Sequence, residues 1–131
     1  MMTSAGETRT CVLVVDDDRD IRDTLTLLFD SEGYRTVAAK DGLRALCVAD
    51  HERPDVILLD MAMPGLDGPG FCSAYHGQGG VAPIVLVTAA LPDAASAAAV
   101  VAGCGAAAFV AKPFGIDELL EAVGRCLAPQ P

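Results

Sequence analysis

The sequence is poor in several things at once. It contains no tryptophan, and aromatic residues make up 5% of its 131 positions. Basic residues number 9 against 18 acidic ones, which leaves a net charge of −9. A nucleic-acid-binding surface needs Lys and Arg clustered on one face, so this balance disfavours that class. No apolar run approaches the length of a membrane span. The first ten residues lack a basic stretch followed by an apolar one, so no secretory signal is expected and the expected location is cytoplasmic. The five cysteines, Cys11, Cys47, Cys72, Cys104 and Cys126, are odd in number and form no CxxC pair. They are expected to serve as small buried hydrophobes in a reducing compartment.

What is present is apolar and punctuated. At 52% hydrophobic and 21% charged, the chain reads as globular, and its length suits one domain with a real core. Six of the nine excess negative charges fall in residues 1–60, where thirteen acidic residues face seven basic ones. Val56-Ile57-Leu58-Leu59 runs straight into Asp60, and Pro64 stops the segment. A short apolar run bounded by turn signals predicts a strand buried on both faces. Thr10 to Val15 repeats the pattern and ends in Asp16-Asp17-Asp18. Pro83 to Val87 repeats it again and ends in Thr88, and Ala107 to Ala111 ends in Lys112-Pro113. Tyr34 to Ala39 predicts a further short strand.

Helical patterns lie between the strands. Ile21, Leu25, Leu28 and Phe29 share one helical face, with Asp18 or Asp20 as N-terminal acceptor and Gly33 past the end. A second helix starts at Asp41-Gly42, places Leu43, Leu46 and Cys47 on one face, and ends before Pro54. Phe71 to His76 predicts only a weak helix, hemmed in by glycines and expected to be short or mobile. Residues 93–104 are alanine-rich and suit a fourth helix, with Asp93 near its start. The fifth places Ile116, Leu119, Leu120, Val123 and Leu127 on one face.

Strand and helix thus alternate five times. That predicts an α/β, doubly wound parallel sheet covered by helices on both faces. If the strand order is 2-1-3-4-5, the polar residues ending strands 1, 3, 4 and 5 converge at one edge, where such sheets bind ligands. Each alone has an ordinary explanation. Asp16, Asp17 and Asp18 could cap a helix, Thr88 could be structural, and Lys112 could be a solvated lysine. Together, three carboxylates repel one another unless a cation is present, and a hard oxygen-seeking divalent ion, Mg²⁺ first, meets that need. A cation, the Lys112 ammonium and the Thr88 hydroxyl around one carboxylate suit it to receive a phosphoryl group.

The sequence resembles the receiver domains of bacterial two-component response regulators. The resemblance covers about residues 10–127. It rests on Val-Leu-Val-Val-Asp16-Asp17-Asp18, Leu-Leu-Asp60-Met-Ala-Met-Pro64-Gly-Leu-Asp-Gly68, Val-Thr88-Ala89 and Phe109-Val-Ala-Lys112-Pro113-Phe114, in order and at domain-scale spacing. It implies a flavodoxin-like five-stranded sheet with five helices. It implies a receiver domain over 10–128, with flexible tails at 1–9 and 129–131. By the resemblance, Asp60 is the phosphoacceptor, charged by a phosphohistidine of a sensor histidine kinase or phosphotransfer protein within a phosphorelay. Mg²⁺ (or Mn²⁺) would be held by Asp17 directly, Asp16 through water, Asp60, and the backbone carbonyl of Ala62. Thr88, the Ala89 backbone and Lys112 would bind the phosphoryl group, and Phe109 would move inward with Thr88. The Lys112–Pro113 peptide is expected to be cis. The chain would then be a signalling switch that catalyses only its own phosphorylation and dephosphorylation. It would signal to an output protein or domain through the fourth helix, fifth strand and fifth helix, without touching nucleic acid or membrane.

The chain departs from the family pattern in places. Ala62 and Ala90 stand where relatives often carry larger or polar residues that influence how fast the acyl phosphate hydrolyses. Residues 94–111 carry no charge, so the charged dimer of one transcription-factor subfamily is not expected. Two other classes compete. One is a receiver-like protein-binding module regulated without phosphate, which the intact acidic pair, acceptor, Thr and Lys count against. The other is a haloacid-dehalogenase-type phosphatase, which needs an Asp where this chain has Ala62. His51 and His76 have no ligand-like spacing and are expected at the surface.

Overall fold

The computed structural model describes residues 9–61, 63, 65–89 and 93–128. Of the expected tails, 1–8 and 129–131 lie outside the described residues. The elements in chain order are β1 (Cys11–Val15), α1 (Arg19–Ser31), β2 (Arg35–Ala39), α2 (Gly42–Glu52), β3 (Val56–Leu59), α3 (Gly68–Gly77), β4 (Ile84–Ala89), α4 (Ala94–Cys104), β5 (Ala108–Lys112) and α5 (Ile116–Leu127). The five strands form one parallel sheet in the order β2-β1-β3-β4-β5. This is the doubly wound arrangement that the alternation and the resemblance predict.

The sheet separates two apolar layers, and the period of two along each strand assigns side chains to them. Leu13, Val15, Ile57, Leu59, Ile84 and Leu86 face Ala45 and Ala49 of α2 and Phe71, Cys72 and Tyr75 of α3. Val12, Val14, Val56, Leu58, Val85 and Val87 face Leu25 and Phe29 of α1 and Leu119, Ala122 and Val123 of α5. β1 and β3 are buried along their whole length, which is why their sequences read as unbroken apolar runs. Each large aliphatic or aromatic side chain withdrawn here contributes about 1.5–3 kcal/mol.

Aspartates start four of the five helices. Asp18 accepts from the Asp20 and Ile21 amides, Asp41 from Arg44, Asp67 from Gly70, and Asp93 from Ser96 at 2.7 Å. Each satisfies an amide that the first helical turn leaves unpaired. α5 has no side-chain cap, but Asp117 and Glu118 in its first turn complement the positive end of the helix dipole.

Three details differ from the sequence reading. In α2 the buried residues are Gly42, Ala45 and Ala49, while Leu43 is 66% exposed and Cys47 is also exposed. The close approach of the helix to Leu66 selects small residues: a Cβ on Gly42 would lie 2.5 Å from the Leu66 carbonyl oxygen. Helix α3 spans Gly68–Gly77, longer than the Phe71–His76 expected. Pro69 occupies its first turn, where a missing N–H costs nothing. The rings of Phe71 and Tyr75 stack at 5.6 Å and anchor it to the core. Ile116 begins α5 at 57% exposure, beyond the sheet's reach. Among the cysteines, Cys11, Cys72 and Cys104 are buried and Cys126 is partly so.

Candidate functional site

The ladder continues one residue past β1 and β3. Val15 pairs with Leu59, and the next amide, that of Asp60, donates to the Val15 carbonyl at 2.9 Å. The Asp16 amide donates to the Ala39 carbonyl of β2 at 3.3 Å. Asp16 and Asp60 therefore leave adjacent central strands at the same edge. Both are buried, at 2% and 6% exposure, and among the described residues Thr88 at 7% is the third buried polar one. Asp17 is exposed. One carboxylate oxygen from each of Asp16, Asp17 and Asp60 lies within 4.8 Å of the others.

Hydrogen bonds fix the Asp16 end of this group. Its Oδ1 accepts from the Asp18 amide at 2.9 Å, and its Oδ2 accepts from Lys112 Nζ at 3.0 Å. Its carbonyl accepts from Arg22 Nη1 at 2.8 Å. The same Lys112 Nζ stands 3.6 Å from Asp60 Oδ2. Burial works against the charged lysine, but the hydrogen bond it donates to Asp16 and the charges of Asp16 and Asp60 outweigh it and hold the ammonium above its ordinary pKa of 10.5. The Lys112–Pro113 peptide is cis.

Thr88 is the penultimate residue of β4, paired in register with Ala111, and Ala89 pairs with Lys112. Phe109 pairs with Leu86, so along the two strands it stands one pleat behind Thr88. It is half-buried and packs on the layer shared with α2 and α3. A cleft of about 510 Å³ opens beside the carboxylates, lined in part by Asp17, Arg22, Lys40, Asp41 and Leu66.

Asp16, Asp17, Asp60 and Lys112 are thus brought together, with Thr88, Ala89 and Phe109 on the adjoining strand ends. Ala62, the expected carbonyl donor, and Ala90 lie outside the described residues. Arg22 escaped the sequence reading. Its target is a main-chain carbonyl, and the available signal was its place one turn after the Asp18 cap. His51 and His76 are at the surface, as expected.

An all-oxygen group of three close carboxylates fits a hard divalent cation and does not fit a soft one. The arrangement can hold such an ion and keeps the Asp60 carboxylate 3.6 Å from an ammonium.

Comparison with known proteins agrees with this geometry. Residues 12–124 match the family model described as the response regulator receiver domain. Response regulator MprA of Mycobacterium tuberculosis is 39% identical over 109 residues, covering 83% of this chain and 46% of that protein. Its counterpart from Mycobacterium avium is 38% identical, over 83% of this chain and 47% of its own. The chain thus spans about half the length of these relatives. Among solved structures, chemotaxis protein CheY4 of Vibrio cholerae superposes with a TM-score of 0.84 at 31% identity, covering 92% of this chain and 100% of its own. The receiver domain of Francisella response regulator 1452 gives 0.82 at 31% identity, over 90% and 96%. With the family model matched across every strand and the same sheet order present, the chain belongs to the response regulator receiver domain family, the signalling switches of two-component systems.

Proposed function

We propose that this receiver domain switches through a phosphoryl group carried on Asp60. The observation behind the reading is the buried Asp60 carboxylate, 3.6 Å from the Lys112 ammonium and grouped with the oxygens of Asp16 and Asp17. An Asp60 oxygen attacks the phosphorus of a phosphohistidine on a sensor kinase or phosphotransfer protein. The new O–P bond forms as the P–N bond breaks and the imidazole departs. Asp16, Asp17 and Asp60, with the Ala62 carbonyl, would hold Mg²⁺ or Mn²⁺. When bound, that ion supplies positive charge to the phosphoryl oxygens.

The chain's own groups do the rest. Lys112 exchanges part of its contact with Asp16 for a phosphoryl oxygen, which keeps the added charge paired. The Thr88 hydroxyl and the Ala89 amide donate to other phosphoryl oxygens. Thr88 reaches them better in one conformer than in another, so phosphorylation shifts the population toward that conformer. Phe109 follows into the space Thr88 leaves. The changed face, formed by α4, β5 and α5, then signals to an output protein or domain. Hydrolysis of the acyl phosphate resets the switch.

The test is incubation of the folded chain with a small phosphodonor and Mg²⁺, followed by intact mass measurement. One phosphoryl group per chain is expected with Mg²⁺, and none with chelator or in Asp60→Ala. A folded, Mg²⁺-binding chain that gains no phosphate points instead to a module regulated without phosphorylation.

A further inference from the structure

Two buried thiols outside the carboxylate site lie on neighbouring helices in one apolar layer. Cys72 lies in the middle of α3, and Cys104 is the last residue of α4. They are 1% and 7% exposed and belong to the same apolar layer. Both lie in the apolar layer where α3 packs beside α4. A second contact closes the same junction. Gly105, which ends α4 in the left-handed conformation, lies against His76, one turn after Cys72 on α3. A Cβ at Gly105 would stand 3.2 Å from His76 Cε1.

A single buried cysteine ordinarily packs as a small hydrophobe. A disulfide needs a second sulfur on a neighbouring backbone, and the packing of α3 beside α4, closed by Gly105 against His76, brings Cys72 and Cys104 to one junction. We propose that Cys72 and Cys104 form an oxidant-sensitive dithiol, whose disulfide ties the end of α4 to α3. The oxidant is a hydroperoxide. The Cys104 sulfur, the more exposed of the two and at a helix end, takes an OH from hydrogen peroxide as the O–O bond breaks, and its thiol proton leaves with the other oxygen as water. The Cys72 sulfur then attacks the Cys104 sulfenic acid. The S–S bond forms, the S–O bond breaks, and the hydroxide departs with the Cys72 proton as a second water. Two thiols are oxidised and one peroxide is reduced to two waters.

Burial sets the speed of this chemistry. Withdrawn from water, the Cys72 thiol is pushed up to about 12, further raised by Cys104, so it is not a thiolate in the closed structure. Reaction waits for opening at the end of α4, whereas the exposed Cys47 reacts directly. The consequence falls on α4, the helix that follows the Thr88 strand. Tied to α3, its end no longer moves independently. The inference stands whether or not Asp60 accepts phosphate.

The test uses the full chain carrying Cys47→Ser, titrated with hydrogen peroxide under native conditions, quenched by alkylation and mapped by mass spectrometry. The expected result is loss of two hydrogens, one linked peptide pair containing Cys72 and Cys104, and full reversal by dithiothreitol. Amide exchange in α4 slows at least about tenfold in the linked form, as a cross-link across a local opening requires. Cys104→Ala abolishes the link; if that variant does not fold, the peptide map of the Cys47→Ser chain decides alone. The proposal is overturned if both thiols stay alkylatable at doses that fully oxidise Cys47 of the unsubstituted chain. It is equally overturned if the links run to Cys11 or Cys126, or if α4 exchange is unchanged in fully linked protein.

Discussion

The Lys112 ammonium lies 3.0 Å from Asp16 Oδ2 across a sequence separation of 96 residues. It joins the last strand to the first carboxylate of the site, and the Asp16 side chain is only 3% exposed. Removing the lysine leaves that buried carboxylate without its cation. Lys112→Ala is expected to lower stability by about 1–3 kcal/mol, less than a fully buried pair because Lys112 keeps partial contact with water. Mg²⁺ should return part of the loss by binding the folded state alone. Thermal melts with and without Mg²⁺ measure both effects.

Gly68 opens α3 against Met61. A Cβ there would stand 2.7 Å from Met61 Cα and 2.9 Å from Met61 Sδ, and the Gly68 amide donates to the Met61 carbonyl at 3.0 Å. Gly68→Ala must displace Met61, the neighbour of Asp60, and is expected to cost about 1–3 kcal/mol. Because the strain falls beside Asp60, Mg²⁺ affinity should fall with it, as calorimetric titration would read. Gly103→Ala on α4, where the added Cβ meets nothing within 4 Å, should instead gain roughly 0.5–1 kcal/mol.

These substitutions touch features of unequal legibility in the sequence. β1 and β3 announce themselves because strands buried on both faces must be apolar throughout. The Asp18, Asp41, Asp67 and Asp93 caps stand immediately before their helices. The carboxylate group was readable only through strand order, since Asp16 and Asp60 are neighbours because β1 lies beside β3. The buried face of α2 was not readable. Ala45 and Ala49 give little hydropathy contrast, and the larger Leu43 draws attention to the wrong side. Arg22 was hard to read for another reason: a side chain that binds a main-chain carbonyl leaves no pattern of paired residue types, only its place one turn after the Asp18 cap.

Thr88 is the proposed sensor of the phosphoryl group. Thr88→Val keeps the shape and removes the hydroxyl. Phosphate uptake at Asp60 should persist, while the phosphorylation-dependent change in α4 amide exchange should shrink by about tenfold in population terms, the worth of one charge-assisted hydrogen bond. Thr88→Ser, which retains the hydroxyl, should restore it. Hydrogen exchange on both phosphorylated variants reads the difference.

The buried thiol of Cys72 gives the reduced protein an alkaline limit. Burial, then the Cys104 thiol, raise its folded value from 9.0 to about 12. Its contribution to stability is therefore complete below 9.0 and is lost as pH rises from there toward about 12, because the unfolded thiol ionises first. Burial raises Cys11 in the same direction, so some slope remains without Cys72. Urea melts in reductant on either side of 9.0 should show stability falling with pH, and falling less steeply in Cys72→Ala.

The central claim is that the phosphoryl group resides on Asp60. The direct measurement is borohydride reduction of the Mg²⁺- and phosphodonor-treated chain, which converts an acyl phosphate to an alcohol, followed by peptide sequencing. The expected result is a reduced side chain at position 60 and nowhere else, absent without Mg²⁺. Modification at Asp16 or Asp17, phosphate on His76, or no modification in folded protein with Mg²⁺ bound would contradict it.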